Sequence, residues 1–271
     1  MFHMENRSFR ASNGDGARGA VPAIARAARV LDELAGGPAG VSEIARRTGL
    51  GKSSVHALLG SLVGEGLAMR DATGGYALGP RLAELGSRAR DNGVIEAAAP
   101  SLARLRGETG ETVLLGRARG PGVAVLARSE STRSQALSAP IGSSVPLLAG
   151  ALGSAFLATF DPVQAETFLA GRQLPPYTNR SVTEPREYLD RADAARVQGY
   201  SVERGEYLPG VAAAASAFRW MDAVYLVWLI AFDGNRSDED VDAMGQAVCR
   251  TAARLHHDLR AGYTGGPEWT E

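Results

Sequence analysis

The stretch from Val41 to Leu78, VSEIARRTGLGKSSVHALLGSLVGEGLAMRDATGGYAL, limits the folds open to this chain more than any other. Val41, Ile44 and Ala45 recur at helical spacing, and Ser42 is available to cap the helix start. Gly49-Leu50-Gly51 allows a tight turn, after which Val55, Leu58, Leu59 and Leu62 mark the buried face of a second helix. That face leaves Lys52, Ser53, Ser54 and His56 pointing outward at the N-terminal end of the helix. Leu67 to Arg70 and Gly75 to Leu78 are short strands, and Asp71-Ala72-Thr73-Gly74 between them has the chemistry of a hairpin turn. Helix, turn, helix and hairpin in this order describe a winged helix-turn-helix, a unit that sets the first residues of its second helix in the major groove of DNA. Lysine, serine and histidine reach phosphates and base edges, and Lys52 is the only lysine in the chain. Singly, these pieces are what any small helical hairpin with a solvated end carries. In this order and at these lengths they point to double-stranded DNA as the partner, with Lys52, Ser53, Ser54 and His56 of the second helix and Arg70 and Thr73 of the wing as contacts.

Charge is divided along the chain in the same sense. The formal net charge is −1, yet residues 1–92 carry 12 Lys and Arg against 9 Asp and Glu, a net of +3, while residues 93–271 carry 17 against 21, a net of −4. So small a surplus gives one subunit few phosphate contacts, and a homodimer or tetramer on a two-fold site is expected. Residues 1–20 are polar and Gly-rich, without the apolar core of a signal peptide, and are read as a disordered arm; 263–271 are read as a tail. Pro22 suits a helix start, with Ile24, Ala27, Ala28, Leu31 and Leu34 as its apolar face and Arg26 and Arg29 off that face. The winged domain is thus expected over residues 21–79, a linker helix over 80–92, and a second domain over 93–262.

That second domain mixes helices and strands. A helix is expected over Ala97 to Glu108, then strands over Thr112 to Arg117, Val123 to Ser129 and Gln135 to Ala139, followed by a loop and a small-residue helix in GSSVPLLAGALGSAFLATF. Helices follow at Pro162 to Leu169 and Glu187 to Gln198, strands at Tyr200 to Glu203, Val211 to Phe218 and Ala223 to Phe232, and a closing amphipathic helix at Asp238 to Ala261. One cysteine, Cys249, excludes a disulfide framework and suits a reducing cytoplasm. His3, His56, His256 and His257 show no metal-ligand spacing, so no metal is expected. No stretch approaches the ~20 apolar residues of a membrane helix, so no membrane partner is expected either. No nucleophile elbow, Walker or dinucleotide-binding pattern occurs, and no cofactor or enzymatic activity is expected. The small-residue helix and apolar strand pair fit a ligand cavity; their alternative is plain core in a DNA-binding protein without a ligand.

Several motifs resemble the IclR family of bacterial transcriptional regulators, in order, from about Ile24 to His256. RAARVLDEL, VSEIARRTGLGKSSVHALLGSLVGEGL and GGYALGPRLAELG are similar to its winged domain and linker; LRGETGETVLL, VAVLARSES, IGSSVPLLAGALGSAFLA, LPPYTNRSVTEP and VQGYSVERGEYLPGV are similar to its ligand-binding domain. The resemblance implies an α+β protein: an N-terminal winged helix-turn-helix, a linker helix and a C-terminal GAF-like α/β effector-binding domain, assembled as a dimer or dimer of dimers on palindromic operator DNA. It also implies a backbone contact for Arg26, and a regulator, expected to repress a catabolic operon, that answers to a small-molecule effector. Two departures stand out. Where the family often has Lys-Ser-Thr-x-x-Arg, this chain has Lys52-Ser53-Ser54-Val55-His56-Ala57, and where it tends to place a cysteine in GV-x-C-I-A-A, GVAAAASAF puts Ala213. Trp228 and Ile230 stand at or near positions of small hydroxyl residues, and Glu203 matches an acidic, ligand-facing position. The expected ligand set is therefore Ala151, Leu152, Glu203, Ala213, Trp228 and Ile230, an apolar cavity suited to a small, partly aromatic carboxylate or acyl compound.

Overall fold

The computed structural model describes residues 21–134 and 136–262, so the arm over 1–20 and the tail over 263–271 lie outside the described residues. The chain divides into two compact units between Ala89 and Arg90, within the stretch expected to link the domains. In the first unit, α1 (Pro22–Ala35), α2 (Val41–Thr48) and α3 (Lys52–Gly64) precede a hairpin of β1 (Ala68–Arg70) and β2 (Tyr76–Leu78). Val30, Leu34, Ile44, Val55, Leu59 and Tyr76 meet in one buried cluster, which is why three short helices and a two-stranded ribbon, none stable alone, hold together. The apolar face of α1 keeps Ala27, Leu31 and Leu34 of the expected set but gains the buried Val30 and loses Ala28 and Ile24, which is 68 % exposed. Val30 lies three residues from Ala27 and four from Leu34, so it completes the stripe that Ile24 begins only in sequence. Ser42 does not cap α2 either. The N-cap is Gly40, whose carbonyl accepts from the N–H groups of Glu43 and Ile44 at 3.0 Å, and Ser42 falls inside the first turn.

The helix α4 runs unbroken from Pro80 to Thr109. A linker helix over 80–92 and a separate helix from Ala97 were expected, with a break at Gly93; the structure joins them. Beyond Gly93, Val94, Ala98, Leu102 and Leu105 are buried at helical spacing in the core of the second unit, and that burial outweighs the roughly 1 kcal/mol an interior glycine costs. Pro100 also sits inside α4, where its missing N–H removes one helical bond.

The second unit is built on an antiparallel six-stranded sheet ordered β5-β4-β3-β8-β7-β6. Its strands are β3 (Thr112–Arg119), β4 (Gly122–Ser129), β5 (Ser144–Pro146), β6 (Ser201–Arg204), β7 (Val211–Trp220) and β8 (Ala223–Phe232). The third strand is a correction: Ala136 to Ala139 forms no strand, Gln135 lies outside the described residues, and β5 falls in the run read as loop. Val145 pairs with Val123 of β4, and Pro146 is tolerated because β5 is an edge. The two faces of the sheet carry separate cores. Val113, Leu115, Val227 and Leu229 pack with α4 and with α8 (Asp238–Gly262) on one face. Leu114, Ala215, Leu226 and Trp228 pack on the other with α5 (Ala151–Leu157), α6 (Pro162–Leu169) and α7 (Pro185–Gln198). Adjacent residues of one strand enter different cores because side chains alternate across a sheet. Among the described residues no helix is long and apolar enough to cross a membrane.

Candidate functional site

In the first unit, Gly49 takes the left-handed conformation (φ 70°) that ends α2, and Gly51 precedes α3 in extended backbone with no side-chain cap. Such a turn needs a residue without a Cβ penalty at Gly49. The uncapped start leaves the N–H groups of the first turn of α3 unpaired within the helix, a partial positive charge suited to a phosphate. Lys52, Ser53, Ser54 and His56 surround that start; all are exposed, and among the described residues none has an ion-pair or hydrogen-bond partner for its side chain. Val55 and Leu59 beneath them are fully buried and fix the helix. The wing is tied internally. Asp71 Oδ1 accepts from the Thr73 N–H, the Thr73 hydroxyl and the Gly75 N–H, each at 2.8 Å. The Thr73 hydroxyl, with the loop N–H groups, holds the Asp71 carboxyl below its usual range. Arg70 reaches across the hairpin to donate to the Tyr76 hydroxyl at 3.0 Å, its guanidinium 5.3 Å from the ring centre. Thr73 and Arg70 are thus held in place yet exposed. Arg26 is exposed on α1, whereas Arg29 donates to the Thr48 carbonyl at 3.4 Å and caps the end of α2. Arg46, not singled out from sequence, is exposed on α2 with no ion-pair partner among the described residues. The basic end of α2 was the signal for it, shared with Arg47, which pairs with Glu43 at 2.6 Å.

In the second unit, strand register brings most of the expected ligand set together. Glu203 pairs with Ala213, Ala213 with Ile230, and Ile230 with Thr112, so one row crosses four strands on the face covered by α5. Trp228 lies two residues along the same face, flanked by Ala215 and Leu114. Glu203 is 5 % exposed and lies against the backbone before α5: a Cβ on Gly150 would come within 2.8 Å of its Cγ. Its Oε2 accepts from the Glu206 N–H at 2.7 Å, and burial pushes its carboxyl up to about 7. Glu203 therefore offers both an acceptor and, when protonated, a donor near neutral pH. Ala213 and Ile230 keep partial exposure; Ala151 and Leu152 are buried on α5. Trp228 takes the core position rather than an open one. It is 3 % exposed, and a Cβ on Gly116 would come within 2.9 Å of its Cζ3, so the ring packs over β3 as core. An aromatic side chain fills the space above a glycine, and no ring face is left open for stacking. The row also opens at Glu203 into a cleft of about 690 Å³ lined by Arg180, Arg191, Glu206 and Asp242, none of them anticipated from sequence. Arg191 pairs there with the buried Glu206, which no local motif connects to it.

Known proteins fit both halves. Residues 23–72 match the IclR helix-turn-helix domain, and residues 88–256 match the C-terminal domain of IclR bacterial transcriptional regulators. The chain belongs to the IclR family of bacterial transcriptional regulators. The regulator BhcR of Paracoccus denitrificans is 30 % identical over 242 residues, covering 88 % of this chain and 87 % of that protein. The regulator Rv1719 of Mycobacterium tuberculosis is 35 % identical, covering 77 % of this chain and 81 % of its own. The crystal structure of an IclR regulator from Alicyclobacillus acidocaldarius superimposes with a TM-score of 0.56 at 28 % identity, over 88 % of this chain and 99 % of that one. This IclR-family protein is accordingly a DNA-binding transcriptional regulator with a helix-turn-helix domain and a C-terminal α/β domain.

Proposed function

We propose that this regulator grips palindromic operator DNA as a homodimer, or as a dimer of such dimers, through the first turn of α3, and represses a catabolic operon until a small effector releases it. The observation that carries the docking is the uncapped start of α3, ringed by Lys52, Ser53, Ser54 and His56 with no competing partner among the described residues. Arg26, Arg46, Arg70 and Thr73 take phosphates on either side, which positions α3 without reading sequence. The net of +3 over residues 1–92 supports pairing of subunits, because one winged unit alone neutralises few phosphates. Light scattering should give a dimer or tetramer, and a footprint should show two half-sites; a monomer on a single half-site contradicts the assembly.

For the effector, the row Glu203, Ala213, Ile230 with Ala151 and Leu152 supports a small carboxylate or acyl compound whose polar end meets Glu203 and the backbone at Gly150. The buried Trp228 walls the site instead of stacking, so a ligand with a modest apolar body fits better than a large aromatic one. The same burial favours a second reading, in which this face is plain core and the regulator binds no ligand. A thermal-shift series of aliphatic and aromatic carboxylates on the wild type and on Ala213→Leu separates the two: a saturable rise lost in the variant supports the effector site, and no rise with any acid supports the ligand-free reading.

A further inference from the structure

The other end of α5 carries a feature that the effector face does not use. Two arginines from different elements anchor on consecutive carbonyls of the turn that follows α5: Arg219 of β7 donates from Nε to the Thr159 carbonyl at 3.0 Å, and Arg196 of α7 donates from Nε to the Phe160 carbonyl at 3.1 Å. Carbonyls at a helix C-terminus attract cations, which accounts for one nitrogen of each guanidinium. It does not account for the rest. Arg196 Nη1 pairs with Asp193, while Nη2 is buried with no partner among the described residues. Arg219 is held in addition by the Phe160 ring, 4.4 Å from the centroid, so its terminal nitrogens are fixed in place. Arg196 is balanced by Asp193, whereas Arg219 has no carboxylate partner among the described residues, so an anion in reach of Arg219 would meet an unneutralised charge. Between them lies a cleft of about 330 Å³, whose wall also holds Thr159, Tyr200 and His256 and no acidic side chain. His256 is held there by stacking on Phe218, ring centres 5.4 Å apart. A buried unpaired donor, two fixed guanidiniums and a wall free of carboxylates together describe a receptor for an oxyanion.

We propose that this cleft is a second ligand site, separate from the effector face, which binds a small molecule through a carboxylate or phosphate group held between Arg196 and Arg219. The volume admits a metabolite of a few carbon atoms and not a large one. The test is a thermal-shift titration of the full chain with sodium phosphate and with sodium succinate, ionic strength matched by sodium chloride. A saturable rise is expected with at least one of them. Arg196→Gln and Arg219→Gln should each weaken the apparent Kd about tenfold or more, whereas Arg128→Gln, on β4 and paired with Glu130 away from this cleft, should leave it unchanged. A rise with phosphate alone assigns a phosphate ligand, and with succinate alone a carboxylate. No saturable rise with either salt, or one that survives in both variants, overturns the proposal. Should Arg196→Gln fail to fold, Arg219→Gln, at an exposed position, decides alone.

Discussion

The first turn of α3 and the Glu203 row of the sheet present opposite kinds of chemistry. Around α3 the polar side chains are exposed, drawn from one short segment and unpaired among the described residues; the row crosses four strands, its polar members Glu203 and Thr112 are buried, and Glu203 already bonds to the protein. A surface meant for a polyanion needs charge kept in water until the partner arrives. A cavity must instead hold its polar groups inside the core at a cost, satisfied or shifted in protonation. The two regions should therefore fail differently when cut. Truncating the row should damage the fold, and truncating α3's exposed face should damage only binding.

The largest effect is expected at Trp228. Packed over Gly116 within a buried cluster, it should lose about 3–5 kcal/mol of stability on Trp228→Ala, read by urea unfolding, because a large cavity opens in a core. His56→Ala, at an exposed position, should change stability by no more than about 0.5 kcal/mol. Comparable losses at both positions would erase the contrast. Next in size is the pH response of Glu203, whose carboxyl burial raises from 4.5 to about 7. Below pH 4.5 it is protonated folded or unfolded; between there and about 7 only the unfolded chain ionises, so stability falls as pH rises, then levels off. Glu206 beside it, also raised by burial though opposed by Arg191, stays in both proteins. Glu203→Gln should flatten the decline across that window, and unchanged slopes would place the carboxyl in water. Smaller still, Gly49→Ala should cost about 1–2 kcal/mol through its positive φ, with nothing within 4 Å to clash. A neutral result in thermal unfolding would mean the turn between α2 and α3 relaxes freely.

Local pattern made most of the fold legible. The α2–turn–α3–wing succession, β8 and α8 follow from spacing that each segment carries within itself, since 3.6- and 2-residue periods report burial directly. What stayed hidden depends on partners distant in sequence. Gly93 looks like a break until Val94 and Ala98 find the sheet and α8; Ser144 to Pro146 looks like loop until β4 offers its edge; Ile24 looks buried until Val30 takes its place. The site divides in the same way. Lys52, Ser53, Ser54 and His56 were readable as candidates for DNA contact because one helix presents them, whereas the Arg191–Glu206 pair and the placing of Trp228 over Gly116 join elements far apart in the chain. Resemblance supplied Glu203 and Ala213 as candidates; register, which no single segment encodes, is what set them side by side.

The docking of α3 is tested most directly by the salt dependence of DNA affinity for wild type and Lys52→Ala, measured by fluorescence anisotropy on duplexes enriched from a random pool by the wild-type protein. Each lost phosphate contact lowers the slope of log affinity against log salt by roughly one unit, so a dimer that loses two should fall by roughly two. The expected result is weaker binding of Lys52→Ala to every duplex, with the shallower slope and unaltered sequence preference. Equal affinity and equal slope for the two proteins would contradict the placement of this helix on DNA.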